Sequence, residues 1–140
     1  MGYRSVELKK VKLTATLIVL VHLVVVLAHG KAHGQLEIVP DAWQRAFIAG
    51  VIVLCPLIAM ALLWTRLWKT GFTLLALSMA GSLVFGLIYH FLLAGPDNAL
   101  GLHHGHWQSV FGTTALLLAL IESAGVVWPF WALGLETAQA

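Results

Sequence analysis

The sequence is poor in charge: 10% of its 140 residues are Asp, Glu, Lys or Arg, whereas 60% are hydrophobic. A water-soluble domain usually carries about 25% charged residues. So few charges cannot cover a water-facing surface, and with a mean hydropathy of +0.91 they place the chain in the membrane class, with the lipid bilayer as its surroundings. The net charge of +2 is small and no basic run is dense, which excludes nucleic acid as a partner.

Several chemistries are also missing. A single cysteine, Cys55, excludes an internal disulfide, and its place in an apolar run favours a packing role. The sequence has no Gly-rich phosphate loop, no Ser–His–Asp arrangement and no C-x-x-C pair. These absences exclude the familiar nucleotide and nucleophile sites, and they leave undecided whether the protein is an enzyme.

Long apolar runs are present instead. A helix needs about 20 residues to cross a bilayer, and continuous apolar runs lack the alternation of a membrane barrel. The first run exceeds the core of a signal peptide, so we interpret it as a retained span. We therefore predict an all-α polytopic membrane protein, an antiparallel four-helix bundle that forms one domain over residues 1–140. The predicted spans are residues 11–30, 41–64, 71–94 and 106–128.

The positive residues predict the orientation. Of the eight Lys and Arg residues, six lie in the N-terminal tail or between the second and third spans. The other two, Lys31 and Arg45, lie between the first and second spans, and the third loop and the C-terminal tail have none. The positive-inside rule then places both termini in the cytoplasm.

Histidine is the chemically active residue that the sequence has in abundance. Residues 100–107 read L-G-L-H-H-G-H-W, and the antiparallel topology brings this stretch to the same membrane side as the ends of spans 1 and 3. Imidazole suits Zn, Cu, Fe and Ni. We predict a transition-metal site (Cu, Zn or Fe, one or two ions) at the extracytoplasmic mouth, for metal handling or for redox or oxygen chemistry. Its candidate ligands are His29, His33, His90, His103, His104 and His106.

Two spacings sharpen this prediction. His29 and His33 stand one turn apart if the helix continues beyond residue 30, and that spacing lets two imidazoles bind one ion. His22 lies seven residues before His29 on the same helix face, near mid-membrane, where an ionisable side chain should face the bundle interior with a partner. Candidate partners at that depth are Ser82, Thr113 and Thr114.

Two other functions fit the same residues. A b-type haem needs two axial histidines on facing helices, and His22 or His29 with His90 would serve, with Gly86 making room for the porphyrin edge. Alternatively, the chain is a non-catalytic accessory subunit of a larger membrane complex, or a homo-oligomer, and its histidines are interface residues.

Glu122 is the second costly residue inside a span. It lies sixteen positions after His106, about 24 Å along a helix, which predicts a place near the inner leaflet and away from the histidine cluster. A hydrogen bond across helices would suffice to hold it there. Alternatively, it is the inner end of a proton path that His22 continues, with water filling the gap between them.

Overall fold

The computed structural model describes residues 2–101 and 105–137, with side chains described from residue 7 to residue 134. Within these ranges the chain is helical and contains no strand. Four helices are long and apolar enough to cross a membrane. They are α1 (Gly2–Gln35), α2 (Ala42–Leu63), α3 (Trp68–Leu92) and α4 (His106–Thr137). The predicted all-α fold with four membrane-spanning helices is confirmed.

The helix α1 is longer than the predicted span. It continues beyond residue 30 to Gln35, and both Gly30 and Gly34 are helical. A helix is the conformation that satisfies every backbone group in an apolar environment, and this requirement outweighs the low helix propensity of glycine. As a result, His29 and His33 stand one helical turn apart, as predicted for a helix that continues beyond residue 30.

Two helices contain a stretch of wider, π-helical turns. In α2 this stretch is Ile48–Leu54, and it ends next to Pro56, whose ring removes a backbone donor. The Cys55 N–H bonds instead to the Gly50 carbonyl, five residues back, which is the hydrogen-bond pattern of a π-helix. The last turn of α3, Ile88–Leu92, is also π-helical and contains His90.

The helices pack in the order α2, α3, α4, α1, and α1 makes few contacts with α2. One end of the bundle is filled by a tight apolar core from all four helices, which includes Val19, Leu63, Phe72, Leu75 and Met79. At the opposite end the α1–α2 gap is not filled in this way. A cavity of about 830 Å³ lies there, lined by all four helices.

The outer surface of the bundle is apolar. Large aliphatic side chains are exposed along every helix, among them Leu27, Ile58, Leu77 and Leu120. Such a surface is unfavourable in water and is the one that lipid chains require. This surface and the four apolar helices together indicate an integral membrane protein.

Candidate metal centre

Three histidines from two helices converge at the cavity. His29 and His33 come from α1 and His90 from the π-helical end of α3. Each offers a ring nitrogen, and these nitrogens all lie within 4.8 Å of one another. His29 and His90 are buried and His33 is half-buried. A group of this kind is compatible with metal binding.

A fourth ring fixes the positions of the three imidazoles. Phe111 of α4 is fully buried, and its ring centroid lies 4.7 Å from that of His29, 4.9 Å from that of His33 and 5.2 Å from that of His90. The imidazoles therefore pack around one aromatic face and have little freedom to rotate. Phe111 was not predicted from the sequence. The pattern that could have indicated it is its spacing of three residues from Thr114, which places both residues on one face of α4.

Each imidazole has its Nδ1 directed at an oxygen. The Nδ1 of His90 lies 3.0 Å from the Asp97 carbonyl, and that of His33 lies 3.4 Å from the Ile38 carbonyl. A carbonyl only accepts hydrogen bonds, so both rings carry their proton on Nδ1.

The same holds for His29, whose Nδ1 lies 2.8 Å from the Thr114 hydroxyl oxygen. That hydroxyl is within hydrogen-bond distance of the Val110 and Phe111 carbonyls, at 2.7 and 3.0 Å. It has one proton, and when that proton is donated to a carbonyl its oxygen accepts from His29 Nδ1. In that arrangement the neutral His29 ring has a free lone pair on Nε2, the form in which histidine binds metals.

The two buried rings then bring like groups together. The Nε2 atoms of His29 and His90 lie 3.2 Å apart. When both rings carry their proton on Nδ1, two lone pairs meet at this separation and repel each other unless a cation, either a proton or a metal ion, lies between them. The cluster is therefore compatible with a bound cation at its centre.

A carboxylate stands beside the cluster on its loop side. Asp97 Oδ1 lies 3.8 Å from His33 Nδ1. Among the described residues it is the buried side-chain oxygen or nitrogen that has no hydrogen-bond partner. A buried oxygen of this kind requires an explanation, and a positive charge on the neighbouring cluster would supply one.

The position of Glu122 differs from the predicted one. It lines the same cavity as the three histidines, and its Oε1 lies 3.2 Å from His22 Nε2. No water-filled gap separates the two groups, because they are in direct contact. The prediction measured the depth of Glu122 from His106. Because α1 continues beyond residue 30 to Gln35, His106 does not mark the level of the histidine cluster. Ser82, a predicted partner of His22, donates instead to Glu122, and Thr114 accepts from His29.

Two other candidate residues, His106 and His22, do not join the cluster. His106 is exposed and its ring packs against Trp107, with centroids 5.0 Å apart. His22 is buried at the side of the cavity and pairs with Glu122. His103 and His104 lie outside the described residues. Within the described residues the cluster therefore consists of three candidate ligands from α1 and α3.

Comparisons with protein-family models, with curated proteins and with solved structures find no match for this chain.

Proposed function

We propose that this protein is an integral membrane protein that binds a transition-metal ion through the Nε2 atoms of His29, His33 and His90. The observation that supports this most directly is the 3.2 Å separation of two Nε2 atoms on rings whose Nδ1 atoms both lie within hydrogen-bond distance of an oxygen. A metal ion removes the repulsion between the lone pairs. It also leaves every ring hydrogen bond in place.

The same separation supports a particular coordination geometry. With metal–nitrogen bonds of about 2.0–2.1 Å, two ligands of a tetrahedral ion lie about 3.3–3.4 Å apart. The observed 3.2 Å is close to that value. Zn, Cu or Fe is compatible with three imidazoles, and no thiolate lies in the group to favour a softer ion.

Three protein ligands leave one tetrahedral position open. Catalytic metal sites have this arrangement, whereas structural sites fill all four positions. The open position would face the cavity of about 830 Å³, within the range of small-molecule sites. The apolar core at the other end of the bundle offers no polar route for an ion. We infer a centre that is reached from one end of the bundle and performs metal handling, or redox or oxygen chemistry.

The haem alternative is less well supported. Two axial histidines stand on opposite sides of the iron, which at bonds of about 2 Å separates their nitrogens by about 4 Å. The nitrogens of His29 and His90 are closer than this. His22 is unsuitable as an axial ligand because its Nε2 is engaged with Glu122. A Soret band in the purified protein would restore this alternative.

The metal content of purified protein tests the proposal. Elemental analysis in detergent, read beside the visible spectrum, should find close to one transition-metal ion per chain. The variant His90→Ala removes a buried ligand and should lower the bound metal substantially. His106→Ala is the matched control, since it removes an exposed histidine of the third loop region, and it should retain the metal. Equal metal content in wild type and His90→Ala would contradict the proposal.

We also propose the orientation that the positive residues predict, with both termini cytoplasmic and the histidine cluster extracytoplasmic. The aromatic and basic side chains near the other end support it, since Lys12 and Lys69 both lie over the Trp68 ring. A reporter that is active only in the cytoplasm should be active when it is fused to the C-terminus. Activity of a C-terminal reporter that works only in the periplasm or outside the cell would contradict this orientation.

We further propose that the chain works as a homo-oligomer or as a subunit of a larger membrane complex. Its short described loops support this, because they leave little polar surface for a soluble domain to recognise. As an accessory subunit it would keep the fold without needing the metal. Native mass spectrometry from detergent or nanodiscs distinguishes these states, and a lone monomer in every membrane mimetic would contradict the proposal.

A further inference from the structure

A buried carboxylate faces the proposed metal centre across the cavity. We propose that Glu122 makes this centre selective for divalent over monovalent transition-metal ions. The inference rests on the proposed function, since it concerns the charge of the ion that the three histidines hold. It assigns a role to a residue whose cost in the membrane the histidine site does not itself explain.

Glu122 is held in one orientation. Its side chain is 4% exposed, and its Oε1 accepts hydrogen bonds from both His22 Nε2 and Ser82 Oγ. The two donors come from α1 and α3 and are themselves 1% exposed. A carboxylate fixed by two buried donors on two other helices is preorganised, and its second oxygen remains available toward the cavity that Glu122 lines.

Gly86 lies beside both this carboxylate and the metal centre. A Cβ built on Gly86 would lie 4.0 Å from Glu122 Oε2 and 3.9 Å from His90 Cδ2, which is ordinary van der Waals contact with each. The carboxylate oxygen and the His90 ring are therefore less than about 8 Å apart, and both lie over the same backbone position.

The charge of the ligands makes this proximity important. Three imidazoles bind as neutral groups, so the ion keeps its full charge inside a poorly solvated cavity. For an ion taken to lie about 8 Å from this oxygen, with an effective dielectric constant of about 20, one negative charge strengthens the binding of a divalent ion about a thousandfold. For a monovalent ion the same charge contributes about thirtyfold. Glu122 therefore changes the preference between the two by about thirtyfold.

Other charged groups also lie near the cavity. Asp97 adds its own negative charge beside His33, on the loop side, and Glu122 acts in addition to it. Arg45 lines the cavity as well, but it is exposed and its guanidinium donates to the Pro40 carbonyl. Among the described residues, the titratable group in contact with Glu122 is His22.

The test compares two d¹⁰ ions of different charge, Zn²⁺ and Ag⁺. The full chain in detergent is titrated with each ion in competition with a chelator, as wild type, Glu122→Gln and Glu37→Gln. Glu37 is an exposed carboxylate at the same end of the bundle, so its variant controls for loss of net charge. We expect Glu122→Gln to lose about a thousandfold in Zn²⁺ affinity and about thirtyfold in Ag⁺ affinity. Glu37→Gln should lose less than about threefold for either ion, because its charge is screened.

The outcomes separate this inference from the metal site itself. Retained Ag⁺ binding shows that Glu122→Gln is folded, and Glu122→Asp should recover most of the Zn²⁺ affinity. Wild-type Zn²⁺ affinity in Glu122→Gln, or an equal loss for both ions, would overturn the inference while leaving the histidine site intact. Failure of the wild type to bind either ion would instead overturn the proposed function.

Discussion

The hydroxyl of Thr114 offers the sharpest test of how the histidines are prepared for metal. Its oxygen lies 2.8 Å from His29 Nδ1, and the proposed metal site requires it to accept the Nδ1–H and so keep the lone pair on Nε2. The substitution Thr114→Val keeps the shape of the side chain and removes the acceptor. The His29 ring must then leave a buried N–H unpaired or move its proton to Nε2, and in the second case the ligand is lost.

The expected size of the effect follows from that choice. Loss of an outer partner of a ligating histidine typically costs 10–100-fold in metal affinity, about 1.4–2.7 kcal/mol. The loss of the hydrogen bond itself should lower the free energy of unfolding by about 1 kcal/mol. Zn²⁺ affinity from chelator competition and unfolding in a denaturing detergent measure the two effects separately.

The neighbouring residue supplies a matched control. Thr113 is exposed on the same turn of α4, so Thr113→Val makes the same chemical change outside the site and should leave both quantities unchanged. Thr114→Ser restores the acceptor and should recover most of the affinity. Zn²⁺ affinity within twofold of wild type in Thr114→Val would refute the assignment of the proton to Nδ1.

The remaining predictions concern pH, ligand and packing. Zn²⁺ affinity should fall when the pH is lowered below the ordinary histidine range, because protons then compete with the ion for imidazole; a profile that stays flat in acid would argue against histidine ligands. Zn²⁺ at about 100 times its dissociation constant should stabilise the wild type by about 2.7 kcal/mol and His90→Ala far less, as detergent unfolding would measure. Gly71→Ala should destabilise the bundle by about 1–3 kcal/mol, because its Cβ would lie 2.9 Å from the Leu63 backbone nitrogen. Gly50→Ala, with nothing within 4 Å of the added Cβ, serves as its control, and an equal stability of the two variants would contradict the packing at residue 71.

Position in the bundle explains why the site combines burial with access. The apolar core fills one end of the bundle, and the cavity occupies the other, where α1 and α2 separate. The candidate ligands line this cavity, and Phe111 packs against all three of them. A rigid wall on one side and open space on the other are what a centre with a free coordination position requires.

Hydropathy alone determined the four spans, since it depends only on the local run of apolar side chains. The spacing of His29 and His33 was equally local, and it needed only the continuation of one helix. The depth of Glu122 was predicted wrongly for a local reason as well, because α1 ends at Gln35 and not at the predicted residue 30.

Tertiary structure decided which distant residues meet. Hydropathy does not specify the rotation of a helix about its axis or the order of its neighbours, so the contacts of His29 with His90 and of His22 with Glu122 could not be read from it. The direction of each imidazole depends on single acceptors such as Thr114 and the Asp97 carbonyl. Thus the amino-acid sequence determined the membrane class and supplied the imidazoles. Packing between helices brought a ring nitrogen from each of three of them within 4.8 Å of one another.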